Sequence, residues 1–68
     1  MPEGLANRLR ELRTERGLTQ AALAEAVGVS RKTVNTVENG VFTPSVTLAL
    51  KLARALGQPV EAVFSIEG

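Results

Sequence analysis

Residues 20–40 read QAALAEAVGVSRKTVNTVENG, and this stretch decides the fold. Gly28 stands where a turn needs a positive φ, a conformation that glycine adopts without steric cost. Ser30 is a typical N-cap residue and opens a second helical segment. The pattern predicts one helix over residues 21–27 and another over residues 31–38, joined by a four-residue turn.

The apolar residues of this stretch are placed as two crossing helices would need them. Ala24 is small at a position where the two helices would approach each other closely. The residues that can cover one shared core are Leu23, Val27, Val29, Val34 and Val37. This is the packing of a helix-turn-helix motif.

Leucines at helical spacing predict a first helix before this motif. Leu5, Leu9 and Leu12 recur three or four residues apart, and Gly17 ends the segment. The arginines of this helix alternate with acidic residues, which indicates a solvated face. No segment of the body alternates like a strand; only the tail over residues 64–67 does so.

Two further helices follow the motif. Pro44-Ser45 begins the fourth helix and Gly57 ends it. Pro59 suits the first turn of a last short helix over residues 60–64. The candidate core residues of the fourth helix are Val46, Leu48, Ala49, Leu52, Ala53 and Leu56. The expected fold class is all-α: five short helices in one domain, stabilised by packing because none is long enough to be stable alone.

The composition excludes several classes of function. The chain has 68 residues, which suffices for one small domain. It contains no cysteine and no histidine, so it lacks the commonest metal ligands and the usual general base. No apolar run approaches the roughly 18 residues of a membrane span. We therefore expect no enzymatic activity, no metal or cofactor, no membrane association and no small-molecule site.

The exposed face predicted for the third helix is suited to DNA. Val34 and Val37 fall on one side of the helix, and the other side is polar and free of acids: Arg31, Lys32, Asn35, Thr36 and Asn39. Such side chains read base edges, an arginine most often a guanine and an asparagine an adenine. The first turns of both helices, at Thr19-Gln20 and Ser30-Arg31, also offer N–H groups to phosphates.

Residues 5–64 resemble a Cro/cI-type helix-turn-helix regulator of the Xre family. Three blocks carry the resemblance, in order and without a gap: LTQAALAEAVGVSRKTVNTVENG, TPSVTLALKLARALG and PVEAVF. The chain is most similar to very short single-domain members, such as the small cytolysin-operon repressor type. The resemblance implies a five-helix, lambda-repressor-like DNA-binding domain over residues 1–64, with the helix-turn-helix at 20–40 and a short tail at 65–68.

The resemblance also implies roles for individual residues. The expected base contacts are Arg31, Lys32, Asn35 and Thr36. Together with the two helix starts, it gives as expected phosphate contacts Thr19, Gln20, Ser30, Thr33, Asn39 and Thr43. Arg13 and Glu38 match an ion pair between the first and third helices of many members, and we expect these two to be structural.

The apolar C-terminal end predicts a homodimer. Its apolar residues exceed what so small a core needs: Val60, Val63, Phe64 and Ile66. In the short relatives this region supplies the dimer contact, and the tail can add a β-strand across the twofold axis. Residues 1–4 contain a proline and a glycine and are a poor strand. A pairing of N- and C-terminal strands is therefore not expected.

The predicted function is sequence-specific binding of double-stranded DNA by a homodimeric transcriptional repressor. It would occupy an operator in the cytoplasm, at the nucleoid. One alternative is a protein-interaction module of the antitoxin or bridging-coactivator type, with the helix-turn-helix as scaffold. The acid-free face of Arg31, Lys32 and Asn35 argues against it. A second alternative is a nonspecific architectural protein, against which the net charge of +1 argues.

Overall fold

A computed structural model describes residues 4–67 of the chain. Within them, five helices and two strands follow one another in the order β1 (Gly4–Asn7), α1 (Leu9–Glu15), α2 (Gln20–Val27), α3 (Arg31–Glu38), α4 (Val46–Ala55), α5 (Val60–Val63) and β2 (Phe64–Glu67). The predicted five-helix class is confirmed. The predicted domain bounds of 1–64 and 65–68 include residues 1–3 and 68, which lie outside the described residues.

A two-stranded antiparallel sheet joins the two ends of the described chain. The register of β1 on β2 is Gly4↔Glu67, Leu5↔Ile66, Ala6↔Ser65 and Asn7↔Phe64. The alternating tail is therefore a strand, but two predictions for the start of the chain are wrong. Leu5 lies in β1 and not in the first helix, and the N- and C-terminal strands do pair. Helical spacing misled here because periodicity cannot reveal a strand whose partner lies at the other end of the chain.

Asn7 ends β1 and fixes the start of α1. Its Oδ1 accepts a hydrogen bond from the Leu9 backbone N–H (3.0 Å), and its Nδ2 donates to the Val37 carbonyl of α3 (3.0 Å). The Arg8 N–H donates to the Val63 carbonyl at the end of α5 (2.8 Å). These bonds tie the junction of β1 and α1 to both α3 and α5.

The helices α2 and α3 form the predicted helix-turn-helix. Gly28 has a φ of 78°, the left-handed conformation that the turn requires. Ser30 is extended, and its Oγ accepts a hydrogen bond from the Thr33 N–H (3.2 Å), which fixes the first turn of α3. Thr19 caps α2 in the same way through the Ala22 N–H (3.0 Å). Local side-chain chemistry therefore sets where both helices begin.

The core is aliphatic, with one phenylalanine, and every helix contributes to it. The buried residues are Leu9, Leu12, Leu23, Ala24, Val27, Val34, Val37, Leu52, Ala53, Leu56, Val63 and Phe64. Ala24 is 3% exposed, as expected for a close approach of two helices. Val29 is only half-buried, and the prediction for Val46 is wrong. Val46 is 77% exposed because it opens α4 before that helix reaches the core.

Candidate DNA interface

The exposed face of α3 carries the residues predicted to contact bases. Arg31, Lys32 and Asn35 are exposed, whereas the two valines of α3 are buried on the opposite side. The one acidic residue of α3 is Glu38, and its side chain has no exposed surface. The face thus presents two cations and an amide, and no carboxylate of α3 competes with them for an anionic ligand.

Thr36 differs from the other predicted base contacts. It is half-buried, and its Oγ1 donates to the Thr33 carbonyl one turn earlier (3.0 Å). Its own carbonyl accepts hydrogen bonds from the N–H groups of Val41 and Phe42 (2.9 and 3.2 Å). Because the hydroxyl proton is used within the helix, Thr36 offers a base only its methyl group and an oxygen acceptor.

The start of α2 lies beside the middle of α3, since Gln20 Nε2 is 3.2 Å from Asn35 Oδ1. The hydroxyl oxygens of Thr19 and Ser30 accept from the N–H groups of Ala22 and Thr33. The other backbone N–H groups of the two first turns point along each helix axis, as at any helix start. Ser30 Oγ and Thr33 Oγ1 share a hydrogen bond of 3.0 Å. Four of the predicted phosphate contacts therefore lie at the two helix starts.

A buried carboxylate joins α1, α2 and α3 beneath this face. Arg13 Nε donates to Glu38 Oε2 (2.6 Å), and Arg13 Nη2 donates to Oε1 (3.3 Å). The third nitrogen of Arg13, Nη1, donates to the Leu18 carbonyl (2.8 Å). Gln20 Nε2 donates to Glu38 Oε1 from α2 (3.1 Å). The residues expected to form a structural ion pair are thus in contact, with Arg13 only 14% exposed.

The contacts of Glu38 favour its ionised form. Burial raises the pKa of this carboxyl, but hydrogen bonds from Arg13, Gln20 and Arg10, with the positive charge of Arg13, outweigh that effect. The net pKa of Glu38 therefore lies below its ordinary value. An ionised carboxylate can only accept hydrogen bonds, so every polar atom that faces it must be a donor.

Arg10 belongs to this network, although the sequence suggested a solvated face for the arginines of the first helix. Its Nε lies 3.4 Å from Glu38 Oε1, and its Nη2 donates to Asn39 Oδ1 (3.3 Å). The sequence did contain a signal, because Arg10 and Arg13 are three residues apart and share one face of α1. That spacing does not tell which helix the face meets.

The last two predicted phosphate contacts lie at the end of α3 and beyond it. Asn39 is exposed, and its Nδ2 donates to Asn35 Oδ1 (3.3 Å). Thr43 is exposed in the loop between α3 and α4. The candidate residues therefore run along α3 from its first turn to the loop that follows it.

The residues predicted at a dimer interface differ in exposure. Val63 and Phe64 are 1% and 9% exposed in the core of the chain itself, so they are not surplus as the sequence suggested. Val60 is half-buried and packs against that core. Ile66 is 67% exposed and lies opposite Leu5 on the sheet. An uncovered apolar pair remains at the outer end of the sheet.

Residues 4–67 contain neither a membrane-spanning helix nor a metal-binding cluster. No helix there is both long enough and apolar enough to cross a bilayer. In the same range, no three side chains of the metal-binding types come together as a cation site would need.

Known proteins match this chain over most of its length. The HTH_3 helix-turn-helix family matches residues 9–63. The HTH-type transcriptional regulator YgzD of Bacillus subtilis is 43% identical over 63 residues, which cover 93% of this chain and 96% of YgzD. An HTH-type transcriptional regulator of Methanothermobacter thermautotrophicus is 48% identical over 60 residues, which cover 87% of each chain.

A solved structure shares both the fold and much of the sequence. The crystal structure of the restriction-modification controller protein C.AhdI from Aeromonas hydrophila superimposes with a TM-score of 0.78 at 45% identity. The superposition covers 81% of this chain and 83% of C.AhdI. The family match runs from the start of α1 to the end of α5 and so includes the whole α3 face. The chain belongs to the HTH_3 helix-turn-helix family, a family of DNA-binding transcriptional regulators and not of enzymes.

Proposed function

We propose that this chain binds double-stranded DNA sequence-specifically as a homodimer, with α3 in the major groove, and represses transcription by occupying an operator at the nucleoid. The observation that carries the proposal is the exposed, acid-free face of α3 with Arg31, Lys32 and Asn35. An α-helix fits the major groove, where arginine and lysine pair with guanine acceptors and an amide pairs with base edges.

The helix starts supply the contacts that position such a reader. Phosphate contacts fix the register and orientation of a protein on DNA, whereas base contacts select the sequence. Thr19 and Ser30 are the N-caps of α2 and α3, two helices of eight residues each. The uncapped backbone N–H groups of each first turn can donate to a phosphate. Because Gln20 contacts Asn35, these two starts are held in a fixed relation to the base-reading face.

A homodimer is proposed because one α3 reads too few base pairs for specific binding. Two copies place two recognition helices about 34 Å apart, one turn of DNA. Alternate residues of a strand point to the same face, so Ile66 continues the face on which Phe64 enters the core. A second copy seated on Ile66 and Leu5 would remove this apolar surface from water.

The test is a mobility-shift selection from a pool of random duplexes. The wild-type chain is expected to recover a palindrome whose half-sites lie about 10 base pairs apart. Arg31→Ala is expected to weaken binding to the recovered site by about tenfold or more, since it removes a base contact. Arg54→Ala is the matched control, because it removes the same side chain from an exposed position on α4.

The same selection can also contradict the proposal. Weak binding without a selected sequence, reduced equally by both substitutions, would mean that α3 reads no bases. The helix-turn-helix would then serve as a scaffold in a protein-interaction module, and the proposal would be abandoned.

A further inference from the structure

The amides on the α3 face belong to one chain of hydrogen bonds that starts at the buried Glu38. The carboxylate of Glu38 accepts from Arg13 (2.6 Å), from Arg10 (3.4 Å) and from Gln20 (3.1 Å). Because an ionised carboxylate has no proton to donate, the atom that Gln20 turns toward it must be the nitrogen. Glu38 therefore determines which way the Gln20 amide faces.

The orientation of the Gln20 amide fixes the orientation of the Asn35 amide. The Gln20 nitrogen that donates to Glu38 also lies 3.2 Å from a side-chain atom of Asn35. A nitrogen donor requires an acceptor there, so this atom of Asn35 must be Oδ1. Both hydrogens of the Gln20 amide are then used inside the chain, one on Glu38 and one on Asn35.

The hydrogen bonds of Asn39 require the same orientation of the Asn35 amide. Arg10 Nη2 donates to Asn39 Oδ1 (3.3 Å), so Asn39 turns its nitrogen toward Asn35. That nitrogen donates to Asn35 Oδ1 (3.3 Å). Reversing Asn39 would place its nitrogen against a guanidinium and its oxygen against the oxygen of Asn35. The orientation of the Asn35 amide is therefore set by the Arg10 guanidinium, which acts through Asn39, and by the Glu38 carboxylate, which acts through Gln20.

The Asn35 side chain can still offer its Nδ2 group to solvent or to a ligand, as a hydrogen-bond donor. Its Oδ1 already accepts two hydrogen bonds, which occupy both lone pairs. An asparagine that reads adenine needs both atoms, because Oδ1 accepts from N6 while Nδ2 donates to N7. A donor alone matches a base edge made of acceptors, and in the major groove guanine offers two of them, N7 and O6.

We propose that Glu38 is a positioning residue for base recognition: it orients the Asn35 amide so that a donor faces the groove, and the base opposite Asn35 is a guanine and not an adenine. This inference rests on the proposed function, because it presupposes that α3 reads bases. It replaces the adenine that the residue type alone predicts.

The first experiment identifies the base pair that Asn35 reads. Wild-type and Asn35→Ala chains are selected on the same random pool, and the position whose preference changes is assigned to Asn35. Guanine is expected there in the wild type, with about fivefold or more enrichment over adenine, a modest ratio for a single base contact. Adenine at that position, or no position that changes, would overturn the inference.

A near-isosteric substitution tests the direction of the amide. Asn35→Asp keeps an oxygen to accept from Gln20 and Asn39, and replaces the outward donor with an acceptor. The preference at the same position is expected to change from guanine to cytosine, whose N4 donates to a carboxylate. Retention of guanine by this variant would show that Nδ2 makes no contact with the base.

Glu38→Gln tests the positioning role itself, with Glu11→Gln as the matched control at an exposed carboxylate of α1. Glu38→Gln is expected to reduce the guanine preference at the Asn35 position to less than about twofold, while the position read by Arg31 keeps its preference. A merely structural role would lower affinity at all positions together and leave both preferences intact. That result would overturn the role of Glu38.

Three further results separate a failure of this inference from a failure of the proposed function. If circular dichroism shows that Glu38→Gln is unfolded, the two Asn35 variants still decide whether the donor faces the base. If the wild type selects no sequence at all, the proposed function fails and this inference fails with it. If the wild type selects a palindrome with adenine opposite Asn35, the function stands and the inference alone is wrong.

Discussion

The Glu38 side chain is fully buried, yet Arg10, Arg13 and Gln20 all donate hydrogen bonds to it. Removing one partner of a buried ion pair generally costs about 3–5 kcal/mol, because the other charge stays buried without compensation. The pair of Arg8 and Glu11 differs, since both side chains are more than half exposed and water screens their attraction. The junction of α1 and α3 therefore depends on Glu38 far more than α1 depends on its own surface pair.

The lowered pKa of Glu38 predicts a loss of stability in acid. In the unfolded chain this carboxyl binds a proton at higher pH than in the folded chain, so folding is favoured while Glu38 is ionised. Its contribution is complete above the ordinary glutamate pKa of about 4.3 and is lost as the pH falls through the lowered value. Urea unfolding at a series of pH values is expected to show the wild type losing stability in this acid range.

Two variants separate Glu38 from the other carboxylates. Glu38→Gln should be less stable at neutral pH and should show a smaller dependence on pH below about 4.3. Glu11→Gln should behave like the wild type, because the Glu11 pKa is also lowered but the side chain is exposed. An unchanged acid dependence in Glu38→Gln would contradict this account.

The sequence predicted which side chains of α3 are exposed, but not the direction in which their amide groups point. Residue types and helical spacing place Arg31, Lys32 and Asn35 on one face, and the structure exposes all three. The direction of the Asn35 amide depends on Arg10, Glu38 and Gln20, which come from three different helices. Contacts between elements leave no periodic signal, so no local pattern could have shown it.

The turn between α2 and α3 depends on the left-handed conformation of Gly28. Gly28 has a φ of 78°, and a Cβ added there would meet no atom within 4 Å. Gly28→Ala should therefore cost only backbone strain, about 1–2 kcal/mol. Gly28→Asn should cost less, since asparagine visits the left-handed region more readily. Thermal or urea unfolding of the two variants measures the difference.

Equal losses for both variants would contradict this interpretation, because the greater tolerance of asparagine for the left-handed conformation would then have had no effect. DNA affinity per folded molecule should remain unchanged in both variants, because Gly28 carries no side chain into the interface.

Elements with local signals were predictable from the sequence, and elements with distant partners were not. The start of α3 follows from Ser30, whose cap bonds lie within three residues. The strand β1 has no such signal, because its hydrogen-bond partners begin at Phe64. The end of α5 was missed by one residue for the same reason, since Phe64 extends into β2 to pair with Asn7.

Ile66, at the exposed end of the sheet, allows the proposed dimer interface to be tested. Ile66→Asp should raise the dissociation constant of the dimer by about tenfold or more, because a charge would be buried without a partner in the proposed interface. The monomer should stay folded, since Ile66 is 67% exposed in the single chain. Sedimentation equilibrium and circular dichroism measure the two effects separately.

Ser65→Asp is the matched control, because it places the same charge on the exposed neighbouring residue of β2, whose side chain points to the other face of the sheet. It should leave the dimer intact. A dimer that tolerates Ile66→Asp, or one that both substitutions weaken equally, would place the interface elsewhere on the molecule.

The pairing of β1 with β2 also imposes an order in time while the chain is being made. β1 leaves the ribosome first among the described elements, and its partner leaves last. At about 5–20 residues per second, the 60 residues that follow Asn7, up to Glu67, take roughly 3–12 s to synthesise. Throughout that interval the nascent chain carries an unpaired strand edge and a core without Phe64, which is the state that chaperones and proteases recognise. A chain released before residue 64 was added would therefore carry all of α3 but lack the β2 strand and Phe64 that complete the sheet and the core.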